Sequence, residues 1–266
     1  MRWAYTGVRD WHCTAGPQPS TIKGNKVFGQ RLQFGALLFW ERRNNMEYVK
    51  LNDGNQIPAV GFGVFLIPND GSTYKAVLEA LKAGYSHIDT AAAYFNEAEV
   101  GKAVKDSGIP REEIFITSKL WLQDYGFAAA TKGLDTSLQN LDTDYVDLYL
   151  LHQPYGDVPG AWKALEAAQK AGKVKSIGVS NMTPKIWNSF VPQFDSLPAV
   201  NQVECNPFFQ QKELRALLAP QNVKIEAYKP LGHGDTTLLQ QPLLKALAKK
   251  YGKNEKSDGV HHFFHM

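Results

Sequence analysis

The chain has 266 residues, 44% hydrophobic and 21% charged, the proportions of an ordinary soluble globular protein with material for one large domain or two small ones. No apolar run approaches the ~20 residues a membrane helix needs; the longest near the start, Phe34 to Trp40, is interrupted by Gly35. A secretory signal would place its apolar core much nearer Met1. The formal charge of +3 is unevenly divided: residues 1–45 hold seven Lys and Arg against Asp10 and Glu41, a net +5, which leaves −2 on the rest. A mildly acidic body argues against a nucleic-acid-binding surface. Cys13 and Cys205 make no framework and no CxxC, which fits a reducing cytoplasm.

Residues 1–45 hold three of the six tryptophans, no convincing period and scattered turn pairs such as Gly16-Pro17 and Pro19-Ser20. They read as a disordered extension, an upstream addition to a folded unit that starts at Met46. Their basic, acid-poor composition leaves a transit peptide open, although serines are few and no amphipathic face is clear. Residues 31–42, RLQFGALLFWER, are the one stretch that could pair as a surrogate strand, against the cost of Gly35 in its interior.

Met46 opens a clean pattern: YVKL, the turn NDGN, then IPAVGFGVF, a hairpin leading into a strand. The strand candidates PAVGFGVF, SHIDTA, IFITSKL, VDLYLLH, VKSIGVS, AVNQVECN and KIEAYKP follow one another, starting roughly every thirty residues, about one βα unit. Helical patterns lie between them, including NEAEVGKAVKDSG, AAATKGLDTSLQNL and AWKALEAAQKAG. In TYKAVLEALKAG, Val77, Leu78 and Leu81 share one face and Gly84 supplies a stop. The alternation predicts an α/β fold, either a (β/α) barrel or a doubly wound parallel sheet. After KIEAYKP come one more helix, PLLKALAKKYGK, and a polar tail, 253–266, with His261, His262 and His265. No eighth strand or following helix is legible.

A strand buried on both faces of a parallel sheet is expected to be apolar throughout. Here several turn polar at their C-terminal ends. The second ends in Asp89, with Tyr94 five residues on; the third ends in Lys119, the fourth in His152, the fifth in Ser180-Asn181; the sixth carries Gln202 and Glu204, and the seventh ends in Tyr228-Lys229. The C-terminal rim is where catalytic groups gather in a βα barrel. Each residue alone has a bland explanation: Asp89 as a cap, Tyr94 as wall packing, Lys119 as a snorkelling stem. Their succession is harder to explain that way.

The stretches HIDTAAAYFNEAEVGKAV, ITSKLW, DLYLLHQP, GKVKSIGVSN, NQVECNPFFQ and EAYKPLG resemble the signatures of aldo-keto reductases, the short bacterial members that reduce diketogluconate and small ketoaldehydes in particular. The resemblance runs from Met46 to Gly252 with the motifs in order. It implies a (β/α)8 TIM barrel, here at 46–252 and lacking strand eight and its helix, preceded by a non-homologous extension. It also implies a catalytic tetrad of Asp89, Tyr94, Lys119 and His152. The nicotinamide carboxamide would meet Ser180, Asn181 and Gln202, the ring would stack on Tyr228, and Leu231, Gly232 and Gly234 would lie along the pyrophosphate. Lys229 falls in the same cofactor-binding stretch, but departs from the serine or glycine common there. Phe65, Trp121 and Gln153 match substrate-pocket positions; Gln153 replaces a frequent tryptophan and implies a more polar pocket. The implied protein is a cytoplasmic monomer acting on a small carbonyl substrate with NADPH, NADH not being excluded. No metal is expected.

The chemistry asks for these residue types. Hydride attack on a carbonyl leaves negative charge on oxygen, so a proton donor must stand within hydrogen-bond reach. A free phenol, with a pKa of ~10, is a poor acid near neutrality; a neighbouring ammonium, Lys119, would stabilise its phenolate. Asp89 would hold that lysine charged, and His152 would orient the substrate oxygen. In the family the eighth strand and its helix grip the adenosine 2′-phosphate and adenine. Without them, weak NADPH binding, poor folding and little turnover are expected.

Three motifs are set aside. GFGVF is not a Rossmann fingerprint, because Leu66 stands where the third glycine would be. The C-terminal histidines lack ligand partners in a packed context, and the first strand ends in no HxH. Two alternatives stay open: a Schiff-base aldolase using Lys119 or Lys229, and a non-catalytic cofactor-binding or regulatory barrel.

Overall fold

The computed structural model describes residues 47–251; the expectations for residues 1–45, the surrogate strand included, and for the tail at 253–266 fall outside them. A hairpin comes first. β1 (Tyr48–Lys50) and β2 (Gln56–Pro58) pair antiparallel, Val49 opposite Ile57. Gly54, at φ +93°, makes the turn a glycine position. Seven parallel strands then lie side by side in chain order: β3 (Phe62–Gly63), β4 (His87–Asp89), β5 (Phe115–Leu120), β6 (Val146–Leu151), β7 (Val174–Ser180), β8 (Val200–Glu204) and β9 (Lys224–Tyr228).

The single strand expected over PAVGFGVF is divided in the structure. Its first residue, Pro58, belongs to the hairpin strand β2, and only Phe62–Gly63 joins the parallel sheet. Local chemistry accounts for the shortness: Leu66 takes a left-handed conformation, at φ +65°, which a continuing strand does not permit.

Helices cross between successive strands: α1 (Ser72–Lys82), α2 (Glu97–Asp106), α3 (Phe127–Leu141), α4 (Val158–Lys170), α5 (Pro184–Phe190) and α6 (Lys212–Leu218). A short α7 (Thr236–Leu239) and α8 (Pro242–Tyr251) follow β9. In α1 the buried positions are Thr73, Val77, Ala80 and Leu81, the one-face spacing of an amphipathic helix. Its N-terminal amides are capped from the next helix, where Glu99 accepts from Gly71 N at 2.5 Å and Tyr74 N at 2.9 Å. Asp157 caps α4 and Thr183 caps α5, each followed by a proline in the first turn. None of the described helices is long and apolar enough to cross a membrane.

The sheet is curled, and side-chain distances prove it. Gln202 on β8 donates to Asp89 on β4 at 2.8 Å, and Glu226 on β9 comes within 3.9 Å of His87 on β4. In a flat sheet strands four and five places apart would be ~19 and ~24 Å distant. Closure is incomplete among the described residues: no strand lies beyond β3 or β9. All five residues of β9 are only half-buried, whereas all six of β6 are buried.

The described residues form two cores. The larger packs helices on the outer face of the sheet. The smaller lies inside the curl, where Leu51 and Ile57 of the hairpin meet Leu148, Leu150, Ala199 and Val200. Asn52 Nδ2 donates to Pro198 O at 2.9 Å, and Asn55 Nδ2 donates to Lys175 O and Ser176 Oγ, both at 3.0 Å. The hairpin thus plugs the N-terminal end of the interior. Above the plug the interior turns polar. His87 is buried, with Nε2 2.9 Å from Thr117 Oγ1, and a Cβ at Gly61 would stand 2.6 Å from its Nδ1, so only glycine leaves the ring its space.

Leu51→Ala should cost about 2–5 kcal/mol by urea unfolding; a cost below roughly 1 kcal/mol would mean the hairpin is not a plug. Burial, with Lys119 adding to it, lowers the His87 pKa from 6.5 to about 4, against the opposing pull of Asp89 and Asp147. A depressed pKa means stability present above pH 6.5 that is lost as pH falls toward about 4. His87→Gln should therefore flatten the acid limb of unfolding midpoint against pH. An unchanged limb would show that His87 does not carry that dependence.

Candidate active site

Strand alternation aims His87 and Asp89 of β4, Thr117 and Lys119 of β5, Gln202 of β8 and Glu226 of β9 into the interior. Lys119 is fully buried. Its ammonium has three protons and meets three acceptors: Asp89 Oδ1 at 2.5 Å, Thr90 O at 2.9 Å and Tyr94 Oη at 3.4 Å. Burial pulls the Lys119 pKa down, yet Asp89 and Tyr94 more than reverse this and the net shift is upward. The group stays an ammonium.

Tyr94 stands on a 3₁₀ turn, Ala92–Tyr94, just past β4. Asn96, fully buried, holds that turn in place. Its Oδ1 accepts from Thr90 Oγ1 at 2.8 Å, and its Nδ2 donates to Val64 O, Ile67 O and Thr73 Oγ1 at 3.1–3.3 Å. The Tyr94 ring contacts Phe65 at 5.0 Å and His152 at 5.6 Å between centroids; Trp121 lies 5.1 Å from His152. Burial raises the Tyr94 pKa, Lys119 opposes and Asp89 adds to the rise, with a net shift upward. The lysine favours the phenolate, as the sequence led one to expect, but burial, which the sequence did not report, outweighs it.

His152 is buried, and its Nδ1 has no hydrogen-bond partner among the described residues. Burial first, then Lys119, lower its pKa from 6.5 to about 4, with Asp89 opposing. It is a neutral imidazole near neutrality. The next residue, Gln153, is held through its backbone, whose N–H donates to Tyr125 Oη and whose carbonyl accepts from it.

Ser180, Asn181, Gln202 and Tyr228 form one network across the ends of β7, β8 and β9. Ser180 Oγ donates to Gln202 O at 2.8 Å, Tyr228 Oη donates to Asn181 Oδ1 at 2.8 Å, and Asn181 Nδ2 donates to His152 O at 3.1 Å. Lys229, at φ +54°, sends its ammonium to within 3.6 Å of Glu204 Oε2. That pairing was not expected; it makes the lysine one half of a rim ion pair. Leu231, Gly232 and Gly234 belong to the turn after β9, where Gly232 and Gly234 both have positive φ. A cleft beside the turn is lined by Glu204, Asn206, Phe208, Phe209, Lys229 and Gly232, among others.

The residues that sequence reasoning missed are His87, Asn96 and Glu226. His87 and Glu226 each lie two positions before a residue singled out at a strand end, so strand periodicity carried on below the rim would have found them. Asn96 carries no such signal, because the three acceptors of its amide group, on Val64, Ile67 and Thr73, lie far back in the chain.

Residues 60–254 match the family model described as "Aldo/keto reductase family". Among similar proteins, glyoxal reductase of Bacillus subtilis (strain 168) is 42% identical over 207 residues, 77% of this chain and 74% of that protein. Methylglyoxal reductase DkgA of Escherichia coli (strain K12) is 40% identical over 212 residues, 79% and 76% respectively. A crystal structure of an aldo/keto reductase from Brucella melitensis is 46% identical and superimposes with a TM-score of 0.75, covering 79% of this chain and 81% of that one. The seven-stranded sheet is accordingly that of a (β/α)8 barrel without one strand among the described residues. With a family model covering most of its length and relatives this similar, the chain belongs to the aldo-keto reductase family.

Proposed function

We propose that this protein reduces small aldehydes and ketoaldehydes to alcohols, with Tyr94 as proton donor and a reduced nicotinamide dinucleotide as hydride source. The observation that carries the reading is the buried Lys119 ammonium, placed between Asp89 and the Tyr94 hydroxyl. Glyoxal and methylglyoxal reductases among the similar proteins support the substrate class.

When bound, the dinucleotide supplies a hydride to the carbonyl carbon; the rest falls to the protein. Tyr94 gives its proton to the carbonyl oxygen as negative charge develops there. Lys119, kept protonated by Asp89, stabilises the phenolate left behind. Catalytic hydrogen bonds often tighten only when substrate is bound, so the 3.4 Å separation of Lys119 and Tyr94 is compatible with this role. His152, being neutral, donates one hydrogen bond without competing as an acid. Phe65 and Trp121 stand against Tyr94 and His152 as apolar walls, and Gln153 would add polarity beside them.

The donor set fits a nicotinamide carboxamide. Gln202 spends Nε2 on Asp89, which leaves its carbonyl oxygen for an incoming amide N–H. Ser180 and Asn181 complete the pocket, and the ring of Tyr228, half-buried, offers a stacking face. Leu231, Gly232 and Gly234 would approach the pyrophosphate through backbone, with Lys229 as a nearby cation. An aldolase built on Lys119 is disfavoured, because a Schiff-base lysine must be readily deprotonated and the Lys119 pKa is raised.

The direct test is oxidation of NADPH and NADH with glyoxal, methylglyoxal and simple aldehydes, alongside borohydride trapping, which should give no covalent adduct. Tyr94→Phe should cut kcat by about 100-fold or more and leave cofactor binding nearly intact; wild-type rates would remove Tyr94 as the acid. Lys119→Met should behave likewise, and an effect on KM alone would contradict its role. Tyr228→Ala should instead weaken cofactor binding by roughly fivefold or more, as read by fluorescence titration, and unchanged affinity would rule out stacking.

A further inference from the structure

Glu226 has no part in the chemistry above, yet it sits beneath it. Its neighbours Ile225 and Ala227 pack on the outer core, which also holds Leu214 and Leu218 of α6, a helix in contact with β9, so Glu226 faces the interior. Its register partner is Gln202, the residue that donates to Asp89 Oδ2. Its Oε1 is 3.9 Å from His87 Nε2, and its Oε2 is buried without a hydrogen-bond partner among the described residues. The groups facing it are His87 and Asp89 from β4, Lys119 from β5, Gln202 from β8 and, one step further, Tyr94 from the turn after β4.

The charge count is decisive. His87 is neutral near neutrality, so Lys119 is the one cation among these groups, facing two carboxyls, Asp89 and Glu226. Two ionised carboxyls and one ammonium would leave an unbalanced negative charge in a poorly solvated interior. Asp89 holds the short contact to Lys119, so the proton belongs on Glu226. Burial, then Asp89, push the Glu226 pKa from 4.5 up to about 8, with Lys119 and Gln202 opposing.

We propose that Glu226 is a positioning residue: its protonated carboxyl keeps the Asp89–Lys119 pair balanced, and its ionisation places negative charge behind the Tyr94 phenol and suppresses proton donation. The proton leaves to solvent, and no bond in the substrate is touched. The added charge opposes formation of the Tyr94 phenolate, as the upward pull of Glu226 on the Tyr94 pKa requires. The inference rests on the reading of Tyr94 as proton donor, and it predicts an alkaline limb in carbonyl reduction that belongs to a residue touching neither substrate nor cofactor.

The test is kcat and KM for methylglyoxal reduction between about pH 6 and pH 10, in wild-type protein, in isosteric Glu226→Gln and in Glu226→Leu. In wild type kcat should fall on the alkaline side. Both variants should hold kcat within about twofold of its neutral value for about one pH unit further, with KM little changed. Superimposable profiles would overturn the proposal. Infrared difference titration supplies a readout independent of turnover: a protonated carboxyl band present at neutral pH, lost at alkaline pH and missing from Glu226→Gln. Absence of that band in wild type would overturn the proposal too. Should no chain turn over, the reductase reading fails, while the infrared result still decides where the proton resides.

Discussion

A buried ammonium is tolerable only where each of its protons finds an acceptor and its charge a counter-charge, and Lys119 meets that condition with residues from a single neighbouring region. Asp89 and Thr90 lie at the end of β4, and Tyr94 lies on the turn that follows. The demand then spreads outward. Asp89 has a second oxygen, and Gln202 satisfies it from β8 across the interior. The turn must hold its shape, and Asn96 ties it to the loop after β3. The curl of the sheet is what brings Gln202 across to Asp89, so fold and site impose one constraint on each other.

The two ends of the interior show how differently the same strands are used. Near the hairpin, Leu148, Leu150 and Val200 close a dry plug with Leu51 and Ile57, and burial of apolar surface stabilises it in the usual way. Nearer the C-terminal end the inward positions are His87, Thr117, Asp89, Lys119 and Glu226, groups that weaken a core unless paired. The protein limits that cost by leaving His87 and His152 neutral and by balancing one lysine against nearby carboxyls. Stability is concentrated at one end and reactive potential at the other.

The alternation of apolar strands and amphipathic helices made the barrel legible, because burial on both sheet faces and the βα period leave strong periodic marks. The first barrel strand was less legible: the turn NDGN announced the hairpin, but nothing local in the apolar run IPAVGFGVF says that only Phe62–Gly63 joins the parallel sheet. The polar strand ends stood out as exceptions to apolar patterning, which is why Asp89, Lys119 and His152 were visible. His87 and Glu226 were hidden because each lies two residues before its strand's polar end, where an isolated polar residue reads as noise until the curl brings β4 and β9 together. The direction of the Tyr94 shift was not legible at all. It depends on the amount of water excluded, which no residue spacing reports.

Burial also divides the site by function. Lys119 is sealed completely, whereas the rim cation Lys229 and its partner Glu204 keep about a third of their side-chain surface exposed, at 32% and 38%. Solvent and salt weaken charge interactions at the rim and scarcely reach the interior pair. The electrostatics that would govern proton transfer are therefore insulated from the medium, while those near the proposed pyrophosphate turn respond to it. Glu226 lies between these regimes, on the half-buried strand β9 with 18% of its side chain exposed. That position gives its proton a route to water while its charge, once formed, acts on a buried neighbour, which is the arrangement the proposed proton-holding role behind the Tyr94 phenol needs.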